Sequence, residues 1–228
     1  MAKRPIFAPL YEGSILILEE FVEFTWHAGM SLKQKQRSIA DLHRVASIKF
    51  GLEHPLEISS KSDNSLGVAL SSFNLRFRTQ KGLELSVETA FQGSKVFDRG
   101  GPYRDLFFMS PKDAKRDPRL RESGNLKKFS FFGQDWPLEP RTAFYDWLYL
   151  NALIKNPDLA EEAQKYDYFT DIEFNPSRSI NCQARSLAIF VSLKRRGILE
   201  PSLANLSQFL EVYRDIPAPN SEIYGILI

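Results

Sequence analysis

Apolar and polar positions change period several times along the chain, and each change predicts an element. Residues 14–27, SILILEEFVEFTWH, are rich in β-branched and aromatic side chains and predict an early strand. SLKQKQRSIADLHRVASIKFG (31–51) switches to a helical period, with Ser31 as cap, Gln34 at the capping-box position and Gly51 as stop. LEISSKSDNSLGVALSSFN (56–74) reads as strand, loop and strand, and the alternating LRFRT (75–79) predicts a sheet edge. A helix opens at Ser86 in LSVETAFQGSKVF (85–97) and is expected to run to RGGP (99–102). SPKDAKRDPRL (110–120) starts a helix with Ser–Pro and closes at Pro118. Residues 139–159 predict the clearest amphipathic helix, burying Phe144, Trp147, Leu148, Leu150 and Leu153. A short helix (LAEEAQKY), a strand (YFTDIEF, 168–174) and a helix over 182–197 follow, the last ending in KRR before Gly197. SLANLSQFLEVYRD (202–215) predicts the final helix. Strands concentrate in the first third without βαβ alternation. The expected fold class is therefore α+β, a helix-rich single domain with a small sheet in the N-terminal third.

Composition narrows the function classes. A chain of 228 residues with 43% hydrophobic content holds one domain and a sizeable core. Net charge is +2, so no global field marks a nucleic-acid binder, although a local basic patch stays open. The KQKQR turn (33–37) and KRR (194–196) are the densest basic clusters, each either solvated surface or a grip on phosphates. Cys182 is the single cysteine, which excludes an internal disulfide and a cysteine-rich zinc site. His27, His43 and His54 lack metal-ligand spacing, so no metal and no cofactor is expected. With no 18-residue apolar run and no signal-peptide pattern at the N-terminus, the expected location is cytoplasmic, without a membrane partner. GxGxxG, GxxxxGK[ST] and GxSxG are all absent, which removes the usual anchors for dinucleotide, P-loop and α/β-hydrolase readings.

One pair of side chains suggests chemistry. On a helix through 85–97, Glu88 and Lys95 stand seven residues apart, about 20° short of two turns and about 10 Å along the axis. An acid and an amine on one stripe are either a solvated surface pair or the two halves of a reactive site.

The stretch that holds them, SVETAFQGSK, resembles the SVEhxyQxxK signature of the NADAR, or YbiA-like, domain. Its neighbours resemble that family's motifs in the family's order. LGVALSSFN (66–74) is similar to the segment preceding the signature, SPKDAK (110–115) to SP–AK, and QDW (134–136) to the Asp-Trp element. AFYDWLYLNALIKNPDLAEEA, FTDIEFN and Asn181 before an apolar helix resemble the later helix, strand and GxN elements. The likeness covers roughly 56–196, making 1–55 an N-terminal extension (strand plus helix) packed on a catalytic core of 56–228 with a C-terminal helix. The family's D.fWG element is shortened here to NPSRSI. Among the family's branches, the sequence looks most like the antitoxins paired with DarT-type toxins, which ADP-ribosylate guanine in DNA.

The resemblance implies an ADP-ribosylglycohydrolase that cleaves the N-glycosidic bond to guanine. Its partners are ADP-ribosylated DNA or an ADP-ribosyl nucleoside, with a cognate toxin besides. Cleavage develops positive charge on the sugar and negative charge on the base. Glu88 fits an acid/base role, and Lys95 fits a nucleophile that forms a ring-opened Schiff base. Such a lysine must be neutral while its neighbour Glu88 raises its pKa, so burial among Phe91, Phe73 or Phe97 has to outweigh the carboxylate. Phe73 and Trp136 are candidates to stack on a base, and Gln92 and Glu173 to hold ribose hydroxyls. Ser60, with Ser59 and Lys61, and Asn74 belong to the candidate substrate-binding segments, and Asn181 is placed for diphosphate at a helix start. Two rival functions are an N-glycosidase for a small nucleotide, as in the family's riboflavin-pathway branch, and a non-catalytic module that binds ADP-ribose or the toxin.

Overall fold

Ala2–Pro9 forms β1, which no apolar alternation announces because Pro5 and Pro9 punctuate it. A computed structural model describes residues 1–29 and 31–216, and all that follows concerns these. β1 pairs antiparallel with β2 (Ile17–Phe24) along its whole length, from Ala2↔Phe24 to Pro9↔Ile17. The second edge of β1 meets a partner strand only at Phe7 and so leaves Pro5 unpaired there. Successive side chains on a strand point to opposite faces, and β1 serves both. Ile6 and Ala8 pack with Val22, Phe24 and α1 (Leu32–Phe50), whereas Phe7 joins the larger core on the other face. Helix α1 is bounded as its sequence predicts. Ser31 Oγ accepts from the Gln34 amide, and Gly51 closes it with φ of 68°.

β3 (Pro55–Glu57) is shorter than the strand expected from residue 56. The expected second strand is instead α2 (Ser65–Ala69), because the Asn64 side chain accepts from the Leu66 amide and caps a helical turn. Gly67 lets that turn close, since a Cβ there would stand 2.0 Å from the Glu57 carbonyl oxygen. β4 (Arg76–Arg78) is an edge strand as expected and pairs only with β5 (Glu84–Ser86).

α3 (Val87–Gly93) opens with a reciprocal cap in which Ser86 and Thr89 satisfy each other's amides. It does not continue to residue 99. Gly93 packs against Phe107, where a Cβ would stand 2.4 Å from the ring. The Ser94 carbonyl then accepts from the Ser130 amide at 2.7 Å, drawing the chain into β6 (Lys95–Phe97). Glu88 and Lys95 therefore belong to a helix and to the strand after it, not to one helical stripe.

α4 (Pro111–Arg116) starts at Ser–Pro as predicted and ends before Pro118, after which a second short helix not expected from the sequence, α5 (Arg119–Glu122), follows. β7 (Leu126–Phe131) and β8 (Gln134–Trp136) complete an antiparallel sheet in the order β6-β7-β8. α6 (Ala143–Ile154) is buried nearly all round rather than on one face. Its Asp146 ion-pairs with Arg185 at 2.8 Å, both side chains being 1% exposed, and the Tyr213 hydroxyl donates to the same carboxylate. α7 (Pro157–Ala163) leads to β9 (Tyr168–Thr170), which lies between β1 and β3 in the order β2-β1-β9-β3. β9 ends where the Asp171 side chain accepts from the Glu173 and Phe174 amides, shortening the strand expected over 168–174. α8 (Gln183–Arg195) covers the face of the sheet opposite α1, and α9 (Leu199–Ser202) and α10 (Leu206–Val212) close that side. The architecture is α+β, with three of the four strands of the main sheet contributed by residues 2–57. Among the described residues no helix is long and apolar enough to cross a membrane.

Candidate active site

The first turn of α3 aims Glu88 into a cavity while leaving it 3% exposed. A buried carboxylate needs donors, and it has them. Ser72 Oγ donates to Oε2 at 3.2 Å and Gln92 Nε2 to Oε1 at 2.8 Å. Lys115 of α4 approaches Oε1 at 3.7 Å and also lies 5.2 Å from the centre of the Phe73 ring. Ser72 is itself fixed, its amide donating to Gln183 Oε1 at 2.7 Å and its carbonyl accepting from the Glu88 amide at 3.0 Å. The Tyr145 hydroxyl stands near Ser72 and Glu88. Burial first, then the Glu88 charge, keep its pKa well above the phenol range.

Lys95 opens β6 with its ammonium 4.7 Å from the centre of the Phe91 ring. The side chain is half-buried by surface, but the ammonium lies deep among protein atoms. Desolvation brings its pKa down to about 8, against the opposing pull of Glu88 and with help from the Lys115 charge. Burial therefore outweighs the carboxylate, and Phe91 supplies the nearest wall.

Both groups line a cavity of about 940 Å³, within the usual range of ligand sites. Eight lysine and arginine side chains line it against the three carboxylates of Glu88, Asp171 and Glu173. Burial first, then the neighbouring Glu57, raise the Asp171 pKa well above its ordinary value. Two buried polar atoms in the wall, Gln92 Oε1 and Arg4 Nε, have no protein partner among the described residues. An orphaned acceptor and an orphaned donor beside an acid–amine pair call for a polar ligand.

Most of the residues expected from the sequence meet here. Ser60, Phe73, Gln92, Glu173 and Asn181 line the cavity with Glu88 and Lys95. Glu173 is paired with Lys35 at 2.9 Å on the rim, and Asn181 precedes the helix cap, a position held by buried Cys182. Two expected residues are elsewhere. Trp136 is 2% exposed in the core, its ring in tilted and edge-on contact with Phe144, Trp147 and Phe209, so the core claims the ring. Asn74 is exposed and spends its amide on Val68 O and Ser71 Oγ to close a turn. The tryptophan that lines the cavity is Trp26, with Arg4 at 5.5 Å and Lys35 at 4.6 Å from its ring centre.

Sequence reasoning missed Arg4, Trp26, Lys115 and Tyr145. Lys115 lies within the SPKDAK segment, but only the docking of α4 on α3 brings it to Glu88. Of the two basic clusters, KQKQR contributes Lys35 to the rim. KRR is structural at Arg196, whose guanidinium donates to the carbonyls of Leu10, Glu12, Gly13 and Ile15.

Behind the cavity, Glu57 is buried and accepts from Ser59 Oγ at 2.7 Å, Thr170 Oγ1 at 2.6 Å and the Ile172 amide at 2.8 Å. Burial raises its pKa despite those bonds. Thr170 spends its proton on Glu57, so His43 Nε2, at 2.8 Å, must be the donor to the same hydroxyl, which fixes a neutral tautomer. Burial holds His43 down to about 4.

A family model described as the DarT1-associated NADAR antitoxin matches residues 2–223, and the chain belongs to that family. Comparison with curated proteins gives no match.

Proposed function

Proceeding from that membership, we propose that the antitoxin acts as an enzyme, hydrolysing the N-glycosidic bond between ADP-ribose and guanine in DNA. The observation that carries this reading is Lys95, an amine whose pKa of about 8 leaves a neutral fraction near neutral pH, in the cavity that also holds Glu88. The surplus of cations suits a diphosphate, and the free Gln92 Oε1 suits a ribose hydroxyl.

In this mechanism the Lys95 nitrogen attacks the anomeric carbon of the distal ribose. The carbon–nitrogen bond to guanine breaks, its electron pair stays with the base, and the base takes a proton from a group that Glu88 serves. One nitrogen proton then passes to the ring oxygen as the carbon–oxygen bond breaks, its electron pair staying with the oxygen, and the nitrogen lone pair forms the imine. Water adds to the imine, and ADP-ribose leaves with Lys95 restored. Ser72 and Gln92 hold Glu88 in place throughout. Incubation with ADP-ribosylated DNA and measurement of released ADP-ribose tests the reading. Release that requires Lys95 and Glu88 supports it. Binding of toxin without release would make the protein a non-catalytic antitoxin.

A further inference from the structure

A second cavity of about 460 Å³ meets the first, and the two share Phe91, Lys95, Tyr145, Arg178, Ser179 and Asn181. Glu88 opens only to the first. The second differs in chemistry. Its walls include Phe129, Phe144, Leu126 and Leu138, and its polar lining includes Asn125, Thr142 and the ion pair of Glu139 with Arg141. Phe129 and Phe144 stack at 4.7 Å, making a fixed aromatic wall. At the seam, the side chains of Arg178 and Asn181 have no protein partner among the described residues.

We propose that this second cavity is the site for the departing guanine, so that the scissile bond spans the seam at Lys95. The inference rests on the glycohydrolase reading and adds the placement of the leaving group. A sugar carbon over Lys95 carries two substituents of opposite character. The diphosphate chain belongs in the cationic cavity, and a flat base belongs between aromatic and aliphatic walls. Arginine reads the acceptor edge of guanine, and Arg178 stands free where that edge emerges as the base gains negative charge. Asn181 offers both a donor and an acceptor to the same base.

The test fills the second cavity alone. Leu138→Trp and Asn125→Trp alter residues that line it and not the first, and Asn125 is exposed enough to accept a larger side chain. Both variants should lower kcat/KM on ADP-ribosyl-guanosine by about tenfold or more. Their Kd for ADP-ribose should stay within about threefold of wild type, which also shows that they fold. Unchanged kcat/KM in both, or parallel loss of ADP-ribose binding in both, would overturn the assignment. A binding arm separates this from failure of the parent reading. Guanosine should bind wild-type protein saturated with ADP-ribose, and both variants should lose it. That result stands even if wild type proves inactive. Guanosine that displaces ADP-ribose, that fails to bind, or that binds the variants equally would overturn the proposal.

Discussion

Lys95 and Phe91 face each other across the break between α3 and β6, with the ammonium 4.7 Å from the ring centre. Had the helix continued, Lys95 would extend from a stripe facing the same way as Glu88. The turn at Gly93 instead folds the lysine back over the aromatic wall, where lost hydration outweighs the attraction of Glu88. Proximity to an aromatic face favours the cation, so the lowered pKa is the net of opposing effects, with desolvation the largest.

Hydrolysis should therefore rise with pH through about 8 and level above it, because the neutral amine is the attacking form. Two variants should move that midpoint in opposite directions. Lys115→Ala removes a charge that lowers the Lys95 pKa and should shift the midpoint up. Glu88→Gln removes a charge that raises it and should shift the midpoint down, while slowing turnover by about 10²–10⁴-fold. Initial-rate profiles of the three proteins check both signs. A Glu88→Gln rate within about threefold of wild type removes Glu88 from the mechanism.

The same shift predicts a cost in stability. The folded-state pKa lies below the unfolded value of about 10.4, so the stability that Lys95 contributes is complete only above that value and is lost as pH falls through about 8. Lys95→Met should raise the melting temperature at pH 7, and the gain should fade by about pH 10. A variant that melts lower at pH 7 contradicts the account of burial.

His43 gives a separate acid-side signature. Its pKa is held at about 4 against about 6.5 unfolded. Its contribution is present above about 6.5 and lost as pH falls towards about 4. Glu57 and Asp171 shift the other way, their contribution being full below the unfolded carboxylate range and lost as pH rises through their raised values. Comparing wild type with His43→Gln cancels those carboxylate effects to first order. The difference in melting temperature between the two should shrink or reverse from pH 7 to about pH 4.5, near the acid end of the window.

Much of the fold was legible because local signals agreed with their surroundings. Ser31 and Gly51 bound α1, Ser86 starts α3, and Ser110 with Pro111 starts α4, which ends before Pro118. Strand β1 was not legible, since its pairing is supplied by β2 and β9 and its prolines argue against a strand. The end of α3 was hidden for a similar reason. Only Phe107, fourteen residues further on, shows why Gly93 must be small. In the site, motif resemblance led to Glu88, Lys95 and Gln92 but misled at Trp136, whose ring the core claims. Arg4 and Trp26 reach the cavity through strand pairing over distant sequence, which no local pattern encodes.

The basic KRR segment gives a negative prediction for nucleic acid. Arg196 ties down the loop at 10–15, so Arg196→Ala should cost about 1–3 kcal/mol of stability. It should leave the salt dependence of activity on ADP-ribosylated oligonucleotide unchanged. Substitution of Lys112 or Arg116 on the cavity wall should instead reduce the salt slope by about one for each phosphate no longer neutralised. Salt titrations of the variants distinguish the two.

The most direct measurement is reductive trapping at Lys95. An imine between its Nζ and ring-opened ADP-ribose is reducible to a stable amine, whereas an oxocarbenium ion or a carboxylate ester leaves none. Borohydride added during turnover should fix one ADP-ribose on the protein, and peptide mapping should place it on Lys95. Lys95→Ala and Lys95→Arg should both abolish the adduct and most activity, since a guanidinium stays protonated. Free ADP-ribose serves as the control for glycation, which spreads over exposed lysines. An adduct on Lys95 that forms only with the modified guanine substrate is the predicted result. An adduct elsewhere, or normal turnover by Lys95→Ala, would contradict the covalent mechanism.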